Sequence, residues 1–305
     1  MYMHCSSPVL VGRLGLCFLM AAGTVFGQKA THSKEFWQEI AKQHYSEMPG
    51  GESPSALAGE LSALLASPDP ELRDDLAYSI LAHWIARGNL QDEDLRRFSD
   101  GWVGNLKDGI GESGINSVLK RSFSALCLAS IAERDVKAQV LDARRYHQLV
   151  ASAVSYLQAE RDLRGYDAKL GWIHATAHTS DLLQALANNS KLTAEEGSQI
   201  LDAIHARLGT AAGVYTQGEQ DRVAQAVLAV IRRPDFKAEI FDRWIARVQE
   251  EDRHTWAEPL TPQSLARYQN HTYTLQALAV RLDLEPESSK IKTFRQQVLD
   301  LLKNR

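Results

Sequence analysis

Two histidines and an aspartate stand at helical spacing in RGYDAKLGWIHATAHTSDLL, residues 164–183. His178 follows His174 by four residues and Asp181 follows His178 by three, so a helix places the two imidazoles and the carboxylate on one side. Imidazole and carboxylate groups are zinc ligands. The spacing predicts either a divalent metal site such as zinc or a polar face within a ligand-binding groove.

The residue that follows His174 bears on this choice. In the zinc helix of many metalloproteases a glutamate directly follows the first histidine and acts as the general base, whereas here that residue is Ala175. We therefore favour a polar face in which Asp181 orients His178, without a cofactor. The alternative is a metal-dependent hydrolase with His174, His178 and Asp181 as its ligands.

The same stretch predicts which side of the helix faces the core. If the helix begins near Asp167, Trp172 and Leu183 lie on a side distinct from the side of His174 and His178. We therefore expect the histidines to face solvent or a groove and Trp172 to pack in the core.

The elements that must position these residues read as helices. Apolar residues recur at three and four positions, and no alternating β-branched runs occur. Helices rich in small residues begin at Arg73, Arg121, Gly171, Arg222 and Asn270, in steps of 48, 50, 51 and 48 residues, with helices of a second type between them. This alternation predicts an all-α protein, an α-solenoid of about five antiparallel helix pairs similar to HEAT or armadillo arrays. An irregular helical bundle is the alternative.

Charged residues near the starts of the small-residue helices are candidates for a binding surface. Arg73, Asp74, Arg121 and Arg222 would line one continuous groove in a solenoid, together with residues from the 164–183 stretch. The alternative is ion pairing between repeats. Residues 164–183 add Arg164 and Tyr166 to these candidates, in addition to His174, His178 and Asp181.

The N-terminus predicts export. Residues 1–27 contain one basic residue, no acid and a short apolar run, as in a secretory signal peptide, and Val25 and Gly27 are the small residues before a cut at Gln28. A retained anchor is the alternative, and bulky Leu16 disfavours lipid attachment at Cys17. We expect a periplasmic or secreted protein without a stable membrane span after cleavage, with residues 28–305 as a single helical repeat domain.

The net charge argues against one class of partner, and the cysteine content argues against a disulfide. Removing residues 1–27 takes away Arg13 and no acid, which changes the net charge from −4 to −5 and argues against nucleic acid as a partner. Cys127 then remains alone, so no intramolecular disulfide forms, and its apolar neighbours predict a buried side chain. The sequence favours a non-enzymatic binding or scaffold protein whose partner is a peptide, a protein or a small polar ligand.

Three segments carry a family resemblance. DPELRDDLAYSILAHWI (69–85), LKRSFSALCLA (119–129) and ERDLRGYDAKLGWIHATAHTSDLL (160–183) resemble the bacterial family of uncharacterised helical proteins catalogued as domain of unknown function 2785. The resemblance implies a helical fold over most of the chain and carries over no activity. The export signal is a departure that we do not expect in many relatives. The positions that carry the resemblance are Arg73, Asp74, Arg121, Ser122, Phe123, Ser124, Arg164, Gly165, Gly171, Trp172, His174, His178 and Asp181.

Overall fold

A computed structural model describes residues 32–46 and 48–305, and this part of the chain is helical, as the apolar spacing predicted. The predicted signal peptide, residues 1–27, lies outside the described residues. The helices are α1 (Lys34–Lys42), α2 (Pro54–Leu64), α3 (Ser79–Arg87), α4 (Asp92–Asn105), α5 (Ser117–Ala138), α6 (Ala143–Ala159), α7 (Ala175–Ala187), α8 (Ala194–Thr210), α9 (Glu219–Ile231), α10 (Ala238–Ala257), α11 (Pro262–Leu284) and α12 (Ser289–Lys303).

Short polar residues begin several of these helices. The side chains of Ser53, Asp142 and Ser288 accept a hydrogen bond from a backbone N–H in the first turn of α2, α6 and α12. Thr193 and Glu196 form a reciprocal capping box at the start of α8. Because these caps are local in sequence, they fix where the helices begin independently of packing.

The helices alternate between two sets of neighbours. The small-residue helices α5, α7, α9 and α11 pack against one another in chain order, and α3 packs against α5. Fully buried Ala125, Ala177 and Ala224 allow close approach within this row. In the other set, α8 packs against both α6 and α10, and α10 packs against α12. The row of small-residue helices supplies most of the site described below.

Two irregular elements adjoin this row. A π-helical segment, Glu71–Tyr78, runs directly into α3. Strands β1 (Tyr166–Asp167) and β2 (Gly171–Trp172) form a two-residue antiparallel hairpin just before α7. Gly171 has a φ of 68°, and a Cβ there would lie 2.7 Å from the Cβ of Pro70. A side chain at this position would therefore push the hairpin away from the π-helical segment.

The structure tests two further predictions, the burial of Cys127 and the lack of a membrane span. Cys127 is fully buried, and burial raises the pKa of its thiol. Such a thiol behaves as a small apolar side chain. Within residues 32–46 and 48–305, none of the helices has the length and apolar character needed to cross a membrane.

Candidate functional site

His174 does not lie within a helix. It is the N-cap residue of α7, with a left-handed backbone (φ 49°, ψ 32°), so the helical projection from Asp167 was wrong for this side chain. The cause is the hairpin: the N–H groups of Ile173 and His174 donate to the carbonyls of Gly165 (2.8 Å) and Arg164 (3.1 Å), so the helix cannot begin before Ala175.

Both histidines are largely buried, 8% exposed for His174 and 7% for His178, and both line a cavity. Trp172 was expected in the core, but its side chain is 42% exposed and lines the same cavity. Its ring stacks on His174 with centroids 4.4 Å apart, because β2 and not α7 carries it. The Nε2 atom of His174 lies 3.0 Å from the carbonyl oxygen of Gln217, to which an N–H there donates.

The His178 ring is held in one tautomer. Its Nδ1 lies 2.8 Å from the Ser122 hydroxyl, which donates to the carbonyl of Ile173. Since the hydroxyl hydrogen is used there, Nδ1–H is the donor to Ser122 and Nε2 carries the lone pair. Burial lowers the pKa of His178 well below its usual value. A neutral imidazole with an available Nε2 therefore borders the cavity.

Asp181 does not join the two imidazoles. Its carboxylate forms an ion pair with the Arg222 guanidinium from α9. Among the residues that the structure describes, the ligand atoms of His174, His178 and Asp181 are not gathered within 4.8 Å of one another. The three side chains that share a spacing in sequence are therefore divided between an imidazole pair and an ion pair.

The cavity has two adjoining chambers, which together we call the groove. The first has a volume of about 440 Å³ and the second about 570 Å³. Tyr78, Leu126, His178 and Arg222 border both. The first chamber is also lined by Asp74, Phe123, Trp172, His174, Gln217, Gly218 and Asp221, and the second by Ala129, Ser130, Glu133, Asp181, Gln184 and Gln225.

Carboxyl groups dominate the charge of the groove. Burial raises the pKa of Asp74 to about 6, although Arg73 opposes this shift. Burial likewise raises the pKa of Glu133 and of Asp181, even though Arg222 pairs with Asp181. Each of these three groups is therefore harder to ionise than in water, because the surroundings do not fully compensate a negative charge.

The other arginine candidates stabilise the segments around the groove. Arg73 is fully buried, donates to the carbonyls of Ser67 (2.9 Å), Leu170 (2.5 Å) and Trp172 (3.0 Å), and lies 4.7 Å from the Phe123 ring centroid. It therefore attaches the hairpin to the π-helical segment. Its neighbour Asp74 does reach the first chamber.

Arg121 is also buried, and it ties three segments together. Its guanidinium makes a bidentate pair with Glu160 (2.6 and 3.1 Å) and donates to the carbonyls of Asp108 (2.9 Å) and Gly109 (3.0 Å). The end of α6 and the glycine-rich loop before α5 are thus fixed to α5 itself. Arg121 borders neither chamber.

Arg164 and Tyr166 lie at the loop and hairpin. Arg164 pairs with Asp162 (2.7 Å) and donates to the Ile115 carbonyl (2.9 Å). Tyr166 is exposed, and its ring meets the Trp172 ring edge-on at 5.0 Å. Neither lines the groove, whereas Arg222 borders both chambers.

Sequence reasoning missed several residues that line the groove, among them Tyr78, Glu133 and Gln217. A signal exists for Tyr78, because it stands five residues after Arg73, as Leu126 stands five residues after Arg121. A comparison of equivalent positions in successive repeats would have selected Tyr78 and Leu126 as candidates for the groove. Gln217 lies in a loop outside the repeat pattern, and nothing in its local sequence marks it.

The comparison with known families bears on this site. A family described as "Protein of unknown function (DUF2785)" matches residues 106–280, more than half of the chain. The chain belongs to this family. The DUF2785 match includes His174, His178 and Arg222, and leaves Asp74 and Tyr78 before its start. No curated protein and no solved structure matched the chain.

The left-handed backbone of His174 leads to a prediction. We expect His174→Gly to be about 1 kcal/mol more stable than His174→Ala, because a Cβ in this conformation contacts the neighbouring carbonyl. Both variants lose the ring, so urea denaturation of the pair isolates the backbone effect. At exposed Gln148 within α6 the same pair should rank in reverse order. A His174→Ala protein as stable as His174→Gly would contradict the left-handed cap.

Proposed function

We propose that the chain is a binding protein whose groove takes a small organic cation, an amine or a guanidine. The observation that carries this proposal is the lining of the groove, where, among the described residues, the carboxyl groups of Asp74, Glu133, Asp181 and Asp221 stand against the one guanidinium of Arg222. Burial raises the pKa of the first three carboxyl groups. A bound cation would stabilise their ionised forms. Arg222 supplies a positive charge between the chambers and is already paired with Asp181.

Aromatic side chains support a cationic ligand. Tyr78, Phe123 and Trp172 line the first chamber beside Asp74. A cation over an aromatic face is attracted by the ring quadrupole, by about 0.5–2 kcal/mol. Phe123 already has the guanidinium of Arg73 on its ring. A carboxylate beside such rings is a suitable environment for an ammonium or guanidinium group.

The size of the groove favours a small ligand. Chambers of about 440 and 570 Å³ fall within the usual range of small-molecule pockets, about 300–1,000 Å³. Of the three partner classes considered from the sequence, a small polar ligand is the one we retain. The neutral His178 ring offers Nε2 as an acceptor for a donor group of that ligand.

The contacts between repeats support an α-solenoid architecture for this groove. Hydrogen bonds recur at separations near one repeat: Arg207 to the Leu157 carbonyl (50 residues), Arg247 to Asp202 (45 residues) and Gln297 to Asp242 (55 residues). We infer that the chain is a HEAT-like array of helix pairs, with the groove on the row formed by α5, α7 and α9. A structure of a relative with repeats added or removed would test this.

Export remains part of the proposal. The signal-like residues 1–27 support a periplasmic or secreted protein, which would meet its ligand outside the cytoplasm. N-terminal sequencing of the chain recovered from the periplasm checks this. A start at Gln28 is expected, and recovery of the chain only from the cytoplasm would contradict export.

A hydrolase is the second candidate, and one observation favours it. The Nε2 lone pair of His178 is available to a metal beside His174. Metal analysis of untagged wild type against His174→Ala/His178→Ala separates this candidate from the binding protein. The hydrolase reading requires bound metal that is lost in the double variant, and equal content in both excludes it.

The cation proposal is tested by thermal unfolding with chemically matched compounds. Arginine amide and spermidine should raise the melting temperature of the wild type by several degrees, whereas citrate and trehalose should not. The matched variant is Asp74→Asn/Glu133→Gln, which keeps shape and removes two carboxylates; its cation response should be much smaller. Equal responses to cations and to citrate would contradict the proposal.

A further inference from the structure

A second cluster of ligand-type side chains lies where α8, α10 and α11 meet. His205 comes from α8, Glu251 from α10 and His271 from α11, and one ligand atom of each lies within 4.8 Å of the others. Within residues 32–46 and 48–305, this is the one group of three or more His, Cys, Asp and Glu side chains with that spacing. The cluster borders neither chamber of the groove.

The polar atoms of this cluster are buried without sufficient partners. Within the described part of the chain, His205 Nδ1, Glu251 Oε2 and both ring nitrogens of His271 lack a hydrogen bond. His271 is only 1% exposed. Buried polar atoms nearly always have a partner, and each orphaned atom costs about 1–3 kcal/mol. Unsatisfied atoms on all three side chains of one cluster point to a missing group that binds one atom of each side chain.

We propose that His205, Glu251 and His271 bind a divalent transition metal, zinc in the first instance. Two imidazoles and one carboxylate form a ligand set that zinc uses in proteins, with a further position left for water. The spacing is within a few tenths of an ångström of a zinc site: His205 Nε2 lies 2.9 Å from Glu251 Oε1, and His271 Nδ1 lies 3.7 Å from Glu251 Oε2. Ligand atoms bound to zinc at about 2.1 Å are separated by roughly 3.0–3.4 Å.

The burial of the cluster suits a metal. His271 is only 1% exposed, and among the described residues neither of its ring nitrogens has a hydrogen bond, so a ring nitrogen is free to bind a metal ion. The Oε1 atom of Glu251 lies within hydrogen-bond distance of His205 Nε2, so the carboxylate faces the imidazole of His205. The Glu251 side chain is 31% exposed and gives a metal ion a path from solvent.

Two neighbouring arginines affect the expected affinity of the cluster for zinc. Arg305 faces His271 but is paired with Asp252 through its Nε and Nη2 atoms. Arg267 also faces His271 and Glu251, and its positive charge opposes a second cation. We therefore expect weaker affinity for zinc than the same three ligands would have without Arg267.

Sequence reasoning missed this cluster because its residues are 46 and 20 positions apart and belong to three different helices. The helices themselves bring them together, since α8 packs against α10 and α11. No local motif marks such a site, unlike the HxxxH of residues 174–178.

The test is cobalt and zinc titration of the untagged full chain at pH 7.5. The wild type should bind one equivalent of Co²⁺ with visible absorption bands, and excess Zn²⁺ should displace it. A hundredfold excess of zinc over its Kd should raise the melting temperature by about 5 °C. The variants His271→Gln and Glu251→Gln should each bind Co²⁺ and Zn²⁺ at least tenfold more weakly than wild type. Neither variant should show the rise in melting temperature with zinc.

The control is His174→Gln/His178→Gln, which removes the groove histidines and should leave cobalt binding unchanged. If His271→Gln fails to fold, Glu251→Gln decides, because it changes a side chain that is 31% exposed and keeps a hydrogen-bond acceptor for His205. Wild type without cobalt uptake would overturn the proposal and make the cluster a hydrogen-bonded network. Uptake lost only in the groove variant would overturn it as well.

Discussion

Arg121→Met is expected to lower the free energy of unfolding by about 3–5 kcal/mol, the largest effect of any substitution considered for this chain. The variant leaves the Glu160 carboxylate buried, 4% exposed, without its bidentate partner. It also releases the carbonyls of Asp108 and Gly109 from their shared donor. Urea denaturation followed by circular dichroism measures the change.

An exposed arginine provides the matched control. Arg97 pairs with Asp94 at i,i+3 with its side chain 64% exposed, so Arg97→Met should cost less than about 1 kcal/mol. The double variant Arg121→Met/Glu160→Met should recover part of the loss, since no unpaired charge stays buried. Equal costs for Arg121→Met and Arg97→Met would mean that Arg121 does not organise the fold around α5.

Asp74→Asn is expected to stabilise the protein relative to wild type at high pH. The pKa of Asp74 is raised from 3.8 to about 6 by burial, so the folded wild type favours the neutral form. The stability that this preference supplies is present below pH 4 and is lost as the pH rises through 6. The stability difference between variant and wild type should grow by up to about 3 kcal/mol from pH 4 to pH 7.5.

The pH dependence is what distinguishes this prediction from simple removal of a contact. If the main effect were loss of the Asp74 contact with Arg73, Asp74→Asn would be less stable than wild type. That deficit would increase with pH, because the contact is strongest when Asp74 is ionised. The matched control is Asp283→Asn on α11, an exposed carboxylate whose substitution should change the pH profile far less. A difference between Asp74→Asn and wild type that shrinks from pH 4 to pH 7.5 would refute a raised Asp74 pKa.

The helical class followed from the sequence because it depends on local information. Apolar spacing and small residues repeating every 48–51 positions predicted helices, and the caps at Ser53 and Thr193 are local signals too. Cys127 was correctly placed in the interior because its neighbours are apolar. Apart from the repeat spacing, each of these inferences needs only residues within one helix.

The site was predicted less well, because its geometry depends on contacts between distant residues. The hairpin that removes His174 from α7 is held by Arg73, about 100 positions away, through the carbonyls of Leu170 and Trp172. The pairing of Asp181 with Arg222 spans 41 residues. The helical projection treated the chain from Asp167 to Leu183 as one regular helix, and it therefore missed the hairpin that exposes Trp172.

One measurement tests the groove most directly: calorimetric titration of arginine amide into wild type at pH 7.5 and pH 5, with Asp74→Asn alongside. We expect one binding site at pH 7.5, with affinity about tenfold weaker at pH 5, where about nine-tenths of a carboxyl with a pKa near 6 is protonated. Asp74→Asn should bind weakly at both pH values. Binding by wild type that is independent of pH and equal in Asp74→Asn, or no binding of any cation, would contradict the proposed function.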